Sequence, residues 1–433
     1  MLHFCKKASL QGGEEVNIVN YEAILSEIQE LYLADNIPWV IGFSGGKDST
    51  TVLQMVFYAL SALPPKKLSK EIHVLSNDTL VENPAIVKHV GEQLGKIKTA
   101  GKAELFRHKP ELFNVIRVMP KLEDTFWVNL IGKGYPSPNR WFRWCTQRMK
   151  INPTSNYIFN TVNKYGHAII VLGTRKAESA SRAAVMNSYD NGKRLRKHTL
   201  PNAFVYAPIA DLSNHEVWSY LLQCPKPWDG SNRKLLALYK NACSGGECPF
   251  VIETGTQSCG KSRFGCWVCT VVRRDKSMEN FIDNGHKWMG ELLDFRNWLY
   301  DIRQQTNQYV PRSLNSNAKF GPFLLKTRRE ILDKLLNMRE RLPVELVTPD
   351  ELHYIHELLE KDLEGQVQQG LRKFVFELPN GKRVATISDF NILLTTRKRL
   401  GPIRLERAKL IGTQNVSPNY AQSTRVMYYE VRK

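Results

Sequence analysis

Long apolar runs are absent from this sequence of 433 residues. No stretch approaches the ~20 consecutive apolar residues that a membrane helix needs, so we expect no membrane partner. The first 20 residues contain no apolar region of the kind that a signal peptide carries, which predicts a cytoplasmic protein. Cysteine is also scarce, because eight residues in a chain of this size are too few for a disulfide scaffold.

Acidic residues are in deficit. The chain has 42 Asp and Glu against 61 Lys and Arg, which gives a formal charge of +19. This excess is compatible with a polyanionic partner, most simply nucleic acid. It is equally compatible with a basic surface that has no partner. Hydrophobic residues make up 42% of the chain, which is enough for a sizeable core and excludes a disordered protein.

Apolar strands alternate with helical patterns along the first half of the chain. Two of the strands, 39–43 and 168–172, each run into a polar turn that contains glycine. This alternation indicates βαβ units, so we predict an α/β fold with a doubly wound, mostly parallel sheet. Strands are predicted at 39–43, 71–76 and 168–172, and helices at 21–33, 51–60 and 84–94.

The character of the sequence changes three times, which predicts four regions. Residues 1–235 carry the strand–helix pattern, and 236–285 are rich in cysteine. Residues 286–370 are predicted to form a helical subdomain. The C-terminal region, 371–433, has 13 Lys and Arg against 4 Asp and Glu, and it includes a strand-like run at 374–378. We interpret this basic region as an accessory that binds a phosphate backbone, and a solvated face is an equal alternative.

A polar loop, Ser-Gly-Gly-Lys-Asp-Ser, separates the first predicted strand from the next helix. Its glycines allow a tight turn and a close approach to a ligand. The helix N-terminus and the lysine favour an anion, so the loop is predicted to hold a pyrophosphate group, although it is not a Walker A sequence. The aspartate would orient the loop or help to hold Mg²⁺. The predicted nucleotide-binding residues are Ser44, Gly45, Gly46, Lys47, Asp48 and Ser49, with Ser44, Lys47 and Asp48 as the catalytic ones.

This loop resembles the PP-loop of the ATP pyrophosphatases, which include tRNA thiolases and phosphoadenylyl-sulfate (PAPS) reductases. The resemblance implies that ATP is cleaved to AMP and pyrophosphate through an adenylated intermediate, except in the reductases, which bind an adenylyl nucleotide as substrate. Two more segments resemble the reductase branch: Asn77-Asp-Thr79, followed by Leu80 where the family has glycine, and the segment from Gly173 to Arg182. Arginines of such a segment can bind phosphate oxygens in a bidentate manner. The resemblance assigns nucleotide contacts to Asp78, Gly173, Arg175, Glu178 and Arg182.

Five of the eight cysteines lie between residues 243 and 269. Four thiolates in such a segment suit either a [4Fe–4S] cluster or Zn²⁺. Zinc ribbons present two close cysteine pairs, whereas this segment has one C-x-x-C, so the spacing favours the iron–sulfur cluster. The predicted ligands are Cys248, Cys259, Cys266 and Cys269, and Cys243 has no assigned role.

The cysteine segment narrows the resemblance to the DndC family of bacterial DNA phosphorothioation, together with its SspD paralogues. It rests on Gly246-Glu-Cys-Pro249, Ser258-Cys-Gly260, the run from Ser262 to Thr270, and the run from Gly321 to Leu332. The resemblance covers roughly residues 20–365. It implies ATP-dependent activation of a DNA backbone phosphate and replacement of a non-bridging oxygen by sulfur. The implied cofactors are a [4Fe–4S] cluster, ATP and Mg²⁺, and the implied partners are DNA, a cysteine desulfurase as sulfur donor, and other DNA phosphorothioation proteins.

A segment from Asn139 to Lys150 interleaves cations with aromatic residues. Cations bind phosphates and aromatic rings stack on exposed bases, so the segment is predicted to contact DNA. Cys145 lies among these residues, where an exposed thiol would have a lowered pKa. It is a candidate sulfur carrier, and a packed structural cysteine is the alternative. The predicted DNA contacts are Arg140, Trp141, Arg143, Trp144 and Arg148.

Two alternative functions are compatible with these motifs. The first is tRNA thiolation or PAPS-type sulfonucleotide reduction, which uses the same nucleotide loop. The second, of a different class, is a nucleotide-sensing, DNA-binding component of a defence system, in which the loop binds ATP without cleaving it.

Overall fold

The structure is a computed structural model, and the chain in it forms two compact units that divide between Leu352 and His353. The finer division into four regions stays a prediction. Within the described ranges, no helix combines the length and the apolar character that crossing a membrane requires. The structure describes residues 20–101, 112–178, 184, 194–242, 265–310 and 321–373, and four strands at 375–377, 383–387, 408–415 and 425–431.

The first unit is built on a six-stranded sheet. Its order is β3-β2-β1-β4-β6-β5, and all neighbours are parallel except β5, which runs antiparallel to β6. The predicted mostly parallel α/β fold is therefore confirmed. The strands are β1 Trp39–Gly42, β2 Ile72–Asn77, β3 Phe113–Val118, β4 Ala168–Val171, β5 Arg196–Lys197 and β6 Ala203–Tyr206.

The central strands are continuous apolar runs because both of their faces are covered. Trp39, Val40 and Ile41 of β1 are buried, and so are all four residues of β4. Strands buried on both faces show this pattern rather than strict alternation. Strand order reverses at β1, which places the loop after β1 at the switch point of the sheet, where ligands bind in doubly wound folds.

Two helices, one beginning at Lys47 and one at Pro84, shape the edge of the sheet at which the loop after β1 lies. The predicted helix 51–60 begins earlier, at Lys47, because Gly46 takes the extended N-cap conformation (φ −79°, ψ 170°). The predicted helix 84–94 begins as expected at Pro84, where Asn83 caps it, and continues to Ala100. The helices are α1 Tyr21–Leu33, α2 Lys47–Ser61, α3 Pro84–Ala100, α4 Asn152–Tyr165, α5 Asn214–Gln223, α6 Asn232–Asn241, α7 Lys276–Asp283, α8 Gly290–Gln304, α9 Leu325–Arg339 and α10 Pro349–Lys373.

The Trp- and Arg-rich insertion near residues 120–150 is irregular. It contains two π-helical turns, Val128–Gly132 and Gln147–Ile151, the second of which continues a short helix at Trp144–Thr146. The first turn is fully buried, and the neighbouring Trp127 indole donates a hydrogen bond to the carbonyl oxygen of Leu346 at 2.6 Å. This first turn of the insertion is therefore part of the core of the first unit.

The second unit contains a four-stranded antiparallel sheet in the order β7-β8-β10-β9. A strand was expected at 374–378, and β7 confirms it over three residues. The strands are β7 Val375–Glu377, β8 Arg383–Ile387, β9 Ala408–Asn415 and β10 Arg425–Val431.

Candidate functional site

The loop between β1 and α2 has a backbone that glycine makes possible. Gly45 has φ +70°, in the left-handed region, and a Cβ atom there would lie 2.6 Å from Cγ2 of Val90. Any other residue would be strained at this position and would collide with α3. The prediction that Gly45 serves a tight turn is in this respect consistent with the geometry.

Two serine hydroxyl groups close this loop. Ser49 Oγ accepts a hydrogen bond from the Ser44 N–H at 3.2 Å and donates to the Gly46 carbonyl oxygen at 3.1 Å. The hydroxyl oxygens of Ser44 and Ser49 are 3.2 Å apart. The loop thus ends in the first turn of α2, whose N–H groups and dipole favour an anion.

Asp48 lies between two cations. Its Oδ2 atom is 2.8 Å from Lys47 Nζ, and its Oδ1 atom accepts a hydrogen bond from Arg175 Nε at 2.6 Å. Arg175 is 3% exposed and also donates to the Leu212 carbonyl oxygen. The structure therefore places Arg175 next to the loop, with Asp48 as its ion-pair partner, and its contact with nucleotide phosphates stays a prediction.

The end of β4 approaches the loop closely at Gly173. A Cβ atom at Gly173 would lie 2.7 Å from the carbonyl carbon of Asp48, so a side chain there would push the two segments apart. Glu178 ends the short 3₁₀ turn Lys176–Glu178 and lines the same cavity as the loop. Arg182, the last predicted residue of this segment, lies outside the described residues.

Asp78 braces the turn that follows β2. Its Oδ1 atom accepts a hydrogen bond from the Leu80 N–H at 2.9 Å, and its Oδ2 atom pairs with Arg117 Nη2. Leu80 has φ +63°, so leucine adopts here the left-handed conformation that favours glycine. The turn is thus formed although Leu80 stands where the PP-loop family has glycine. Asn77, next to Asp78, faces the cavity.

Tyr239 contacts the loop, and sequence reasoning missed it. Its hydroxyl oxygen accepts a hydrogen bond from the backbone N–H of Lys47 at 3.2 Å, and Lys47 Nζ lies 5.8 Å from the centre of its ring. Tyr239 is held on α6, which begins at a Ser231 cap. Tyr239 lies 192 residues from Lys47 in the sequence, so no local sequence pattern indicates this contact.

These elements enclose a cavity of about 950 Å³ at the carboxyl ends of the parallel strands. The nucleotide loop lies on one side, and Glu82, Lys150 and Thr154 lie on another. The size lies within the range of ligand pockets, roughly 300–1,000 Å³. The cavity thus offers room for a nucleotide and brings polar groups from several segments together.

Cys266 and Cys269 form a turn beside this cavity. The Cys269 N–H donates to the Cys266 carbonyl oxygen at 3.0 Å, and Cys266 forms an antiparallel bridge with Glu82. The Thr79 hydroxyl oxygen is 3.5 Å from Cys266 Sγ. Gly265, just before this thiol turn (Cys266–Cys269), lines the cavity itself. The thiols are therefore next to the predicted nucleotide site.

The electrostatics of this region centre on Lys150. The charge of the neighbouring Cys266 raises the pKa of Lys150 most, and burial opposes it. Burial raises the pKa of the Cys266 thiol to about 11, while Lys150 acts in the opposite direction. Burial also raises the pKa of Glu82, which Lys150 counteracts. The Lys150 ammonium group thus counteracts the effect of burial on both acids and would attract a negatively charged ligand.

Cys145 differs from the expectation of a reactive, low-pKa thiol. It is partly buried, and burial raises its pKa, with the nearby Cys269 adding to the rise. The structure nonetheless brings Cys145 into the electrostatic neighbourhood of the thiol turn. Its role as a sulfur carrier stays a prediction.

The predicted cluster ligands are only partly described. Cys266 and Cys269 lie in the thiol turn, whereas Cys248, Cys259 and the unassigned Cys243 fall outside the described residues. Among the residues that the structure describes, no group of three or more His, Cys, Asp or Glu side chains is placed to hold a metal ion. The two described thiols are the donor type that an iron–sulfur cluster requires.

Two arginines from α8, the buried Arg296 and the partly buried Arg303, hold the thiol turn in place. Arg296 is 0% exposed and donates to the carbonyl oxygens of Cys269 and Arg273, each at 2.8 Å. Arg303 donates to the carbonyl oxygens of Pro138 and Thr270, each at 2.6 Å. The helical region thereby satisfies backbone groups that no regular structure pairs.

The predicted DNA contacts divide into exposed and buried residues. Trp141 is 82% exposed, and Arg140 and Arg143 are exposed beside it. Trp144 is 6% exposed and stacks on Phe126, so the expectation that it stacks on a base is corrected: its ring packs in the core. The remaining predicted contact, Arg148, pairs with Asp124 at 2.6 Å and with the Tyr135 hydroxyl group at 3.0 Å.

Comparison with known proteins gives one relative and several structures of low similarity. An uncharacterized protein of Methanocaldococcus jannaschii is 26% identical over 283 residues, which are 64% of this chain and 46% of that protein. The chain thus spans less than half the length of this curated relative.

Three solved structures are matched at 10–11% identity and with TM-scores below 0.5. The first is a phosphoadenylyl-sulfate reductase from Candida auris in a phosphate complex, with a TM-score of 0.28 over 48% of this chain and 88% of that chain. The second is an FMN adenylyltransferase from Candida glabrata, with a TM-score of 0.33 over 56% of this chain and 67% of that chain. The third is the U34-tRNA thiolase NcsA from Methanococcus maripaludis with its [4Fe-4S] cluster, with a TM-score of 0.29 over 75% of this chain and 90% of that chain.

The family model of the phosphoadenosine phosphosulfate reductase domain matches residues 38–272. This range begins just before β1 and ends just after the thiol turn, so it includes the nucleotide loop, the cavity and Cys266–Cys269. The chain therefore belongs to the phosphoadenosine phosphosulfate reductase domain family, the branch of the PP-loop superfamily that its sequence resembles.

Proposed function

We propose that this protein is an ATP pyrophosphatase that activates a DNA backbone phosphate for replacement of a non-bridging oxygen by sulfur. The observation that carries the proposal is the shared cavity: the nucleotide loop forms one side, and Gly265, which leads into the thiol turn, forms another. Nucleotide activation and sulfur chemistry need such proximity, because the activated phosphate must meet sulfur before water does.

In the proposed reaction, an oxygen of the DNA phosphate attacks the α-phosphorus of ATP and pyrophosphate leaves. Lys47 and the first N–H groups of α2 stabilise the charge that builds on the pyrophosphate. A sulfur nucleophile then attacks the DNA phosphorus, and AMP leaves with the former phosphate oxygen. Adenylation thus converts a poor leaving group into a good one.

Asp48 and Arg175 have positioning roles in this proposal. Asp48 fixes the Lys47 ammonium group from 2.8 Å, and Arg175 fixes Asp48 from 2.6 Å. Mg²⁺, which accompanies ATP, would neutralise phosphate charge at this site, and Asp48 is the residue that would help to hold it. For Asp48 to bind the metal, its carboxylate would have to exchange one of its two cations for Mg²⁺.

The thiol turn would contribute two ligands of a [4Fe–4S] cluster, with Cys248 and Cys259 as the other two. When bound, the cluster would carry sulfur, position it or transfer electrons. Lys150, which lines the cavity together with Glu82, would orient an anionic acceptor through its ammonium group. DNA would contact Arg140, Trp141 and Arg143. A cysteine desulfurase would supply sulfur, and other phosphorothioation proteins would be partners.

Release of pyrophosphate tests the first step. Anaerobically purified protein should release pyrophosphate from ATP, and Lys47→Ala should abolish this release without unfolding the chain. Lys66→Ala, which removes an exposed lysine of the 3₁₀ turn Pro65–Lys67, is the matched control and should behave like the wild type. A wild-type rate in Lys47→Ala would refute the assignment of the loop.

The destination of the sulfur tests the second step. Nuclease digests of DNA from cells that express the protein with its partners should contain phosphorothioate linkages by mass spectrometry. Sulfur in tRNA instead would favour the thiolase. The absence of pyrophosphate release from cluster-replete protein would favour a nucleotide-sensing, DNA-binding component.

A further inference from the structure

A tight turn presents Trp141 to solvent. The Asn139 side-chain oxygen accepts hydrogen bonds from the N–H groups of Trp141 at 2.8 Å and Phe142 at 2.9 Å. The backbones of Asn139 and Phe142 also exchange two hydrogen bonds of 3.2 Å. Four hydrogen bonds thus fix a four-residue turn, Asn139–Phe142, whose tip holds an indole ring that is 82% exposed.

The base of this turn is tied to the thiol turn. The Pro138 carbonyl oxygen accepts hydrogen bonds from the Thr270 hydroxyl group at 2.7 Å and from Arg303 at 2.6 Å. Thr270 directly follows Cys269. The exposed indole therefore belongs to a rigid element that shares its anchors with the thiols.

The charge around the indole is positive. The Arg140 guanidinium group lies 4.4 Å from the centre of the Trp141 ring. Arg143, which directly follows the turn in the sequence, is also exposed. An arginine stacked on an indole is attracted by its π-electrons, and it can still bind a phosphate through its N–H groups. This combination matches a nucleotide chain, in which every unpaired base offers an apolar face and every link carries one negative charge.

We propose that the Asn139–Phe142 turn is a stacking platform for an unpaired base of single-stranded DNA, with Arg140 and Arg143 on the adjacent phosphates. The proposal rests on the proposed function and names the form in which the DNA is bound. A duplex covers the faces of its bases, so it can offer phosphates to the arginines but no base to Trp141. Trp144 is packed in the core, whereas Trp141 has the most exposed ring of the turn, so the proposal assigns the stacked base to Trp141.

Binding of labelled oligonucleotides tests this assignment by fluorescence anisotropy, with the full-length protein and no ATP. The probes are a short 5′-labelled oligothymidylate, a hairpin duplex of equal length and an oligouridylate. The wild type should bind the DNA single strand most tightly. Trp141→Ala should weaken that binding by about 5- to 150-fold and leave duplex binding unchanged, because stacking of one base is lost.

Three further variants separate stacking from charge and from folding. Trp141→Phe keeps a ring and should restore most of the affinity. The logarithm of the affinity falls linearly with the logarithm of the salt concentration. Arg143→Ala should make this slope shallower by about 0.7, which is the value for one phosphate contact of a single strand. Phe159→Ala removes another exposed aromatic ring, 51% exposed on α4, and should bind all probes like the wild type.

Three results would overturn the platform: wild-type affinity of Trp141→Ala for the single strand, equal affinity of the wild type for single strand and duplex, or tighter binding of the oligouridylate. Pyrophosphate release is measured separately. If the wild type releases none, the proposed function fails, while the oligonucleotide assay still decides whether Trp141 binds an unpaired base.

Discussion

The hydroxyl group of Tyr239 accepts a hydrogen bond from the backbone N–H of Lys47, across 192 residues of sequence. This bond joins α6 to the first residue of α2, the point at which the nucleotide loop becomes a helix. The ring of Tyr239 lies beneath the Lys47 ammonium group as well. One tyrosine thus positions both the backbone and the side chain of the residue on which the proposed chemistry depends.

Removal of this hydroxyl group should weaken nucleotide binding. One hydrogen bond contributes about 0.5–1.5 kcal/mol net, so Tyr239→Phe should raise the Kd for ATP by about 2- to 12-fold. Isothermal titration calorimetry checks this value. Tyr58→Phe, which removes the bond to the Pro225 carbonyl oxygen, is the control and should leave the Kd unchanged. Equal behaviour of the two variants would contradict the role of Tyr239.

Two glycines, Gly45 in the loop after β1 and Gly91 within α3, should respond in opposite directions to alanine. Gly45→Ala introduces a Cβ atom 2.6 Å from Val90 at φ +70°, so it should lower the free energy of unfolding by more than about 1 kcal/mol and reduce ATP affinity at least about tenfold. Gly91 lies inside α3, and a Cβ atom there would have no neighbouring atom within 4 Å. Gly91→Ala should therefore raise the free energy of unfolding by about 0.5–1 kcal/mol. Urea unfolding measures both. A stable Gly45→Ala variant that binds ATP normally would refute the loop geometry.

His73 should make the protein less stable in acid. Burial lowers its pKa from 6.5, with Lys164 adding to the effect and Glu71 opposing it, and its Nδ1 atom is 2.8 Å from the Tyr157 hydroxyl oxygen. Because the folded pKa is depressed, the unfolded chain binds the proton more readily below pH 6.5. The stability present above that value is then lost as the pH falls through the folded pKa, at up to about 1.4 kcal/mol per pH unit.

Urea unfolding of wild type and His73→Asn at several pH values between 7 and 5 checks this slope. The variant should lose less free energy of unfolding over the interval than the wild type does. Identical slopes would show that His73 does not take up the proton.

Cys266→Ser should remove the brown chromophore of anaerobically purified protein and lower its iron and sulfide content. Cys145→Ser, outside the predicted ligand set, should retain both. Absorption spectra with iron and sulfide counts test the pair. Retained colour in Cys266→Ser would exclude it as a ligand, and loss of colour in both variants would add Cys145 to the ligand set.

The nucleotide loop could be predicted from sequence because its signal is local. A short apolar strand, two glycines and a polar helix start are contiguous, and they fix one another through sterics and helix capping. The edge strand β3 lacks such a signal: most of its residues are only partly buried, so no apolar run marks it. The start of α2 was misjudged by four residues because Lys47 to Thr50 are polar, although Lys47, Ser49 and Thr50 are buried.

In the Trp- and Arg-rich insertion, by contrast, the local sequence does not predict which side chains are buried. Trp141 and Trp144 are three residues apart in the same composition, yet one is exposed and the other is in the core. The difference comes from partners distant in sequence, Phe126 for Trp144, and from a turn that Asn139 closes. Likewise, the contact of Tyr239 with the loop depends on the packing of α6, which no pattern around Tyr239 reveals.

The two arginines that hold the thiol turn also set an order of assembly. Arg296 and Arg303 follow their acceptors Cys269 and Thr270 by 27 and 33 residues, so a ribosome synthesises the turn before the groups that hold it. Until α8 has been made and has docked, those carbonyl oxygens lack the arginine donors that they have in the folded protein. Val81 and Glu82 can pair with the turn as soon as it is made, but its backbone is fully hydrogen-bonded only after the helical region has followed.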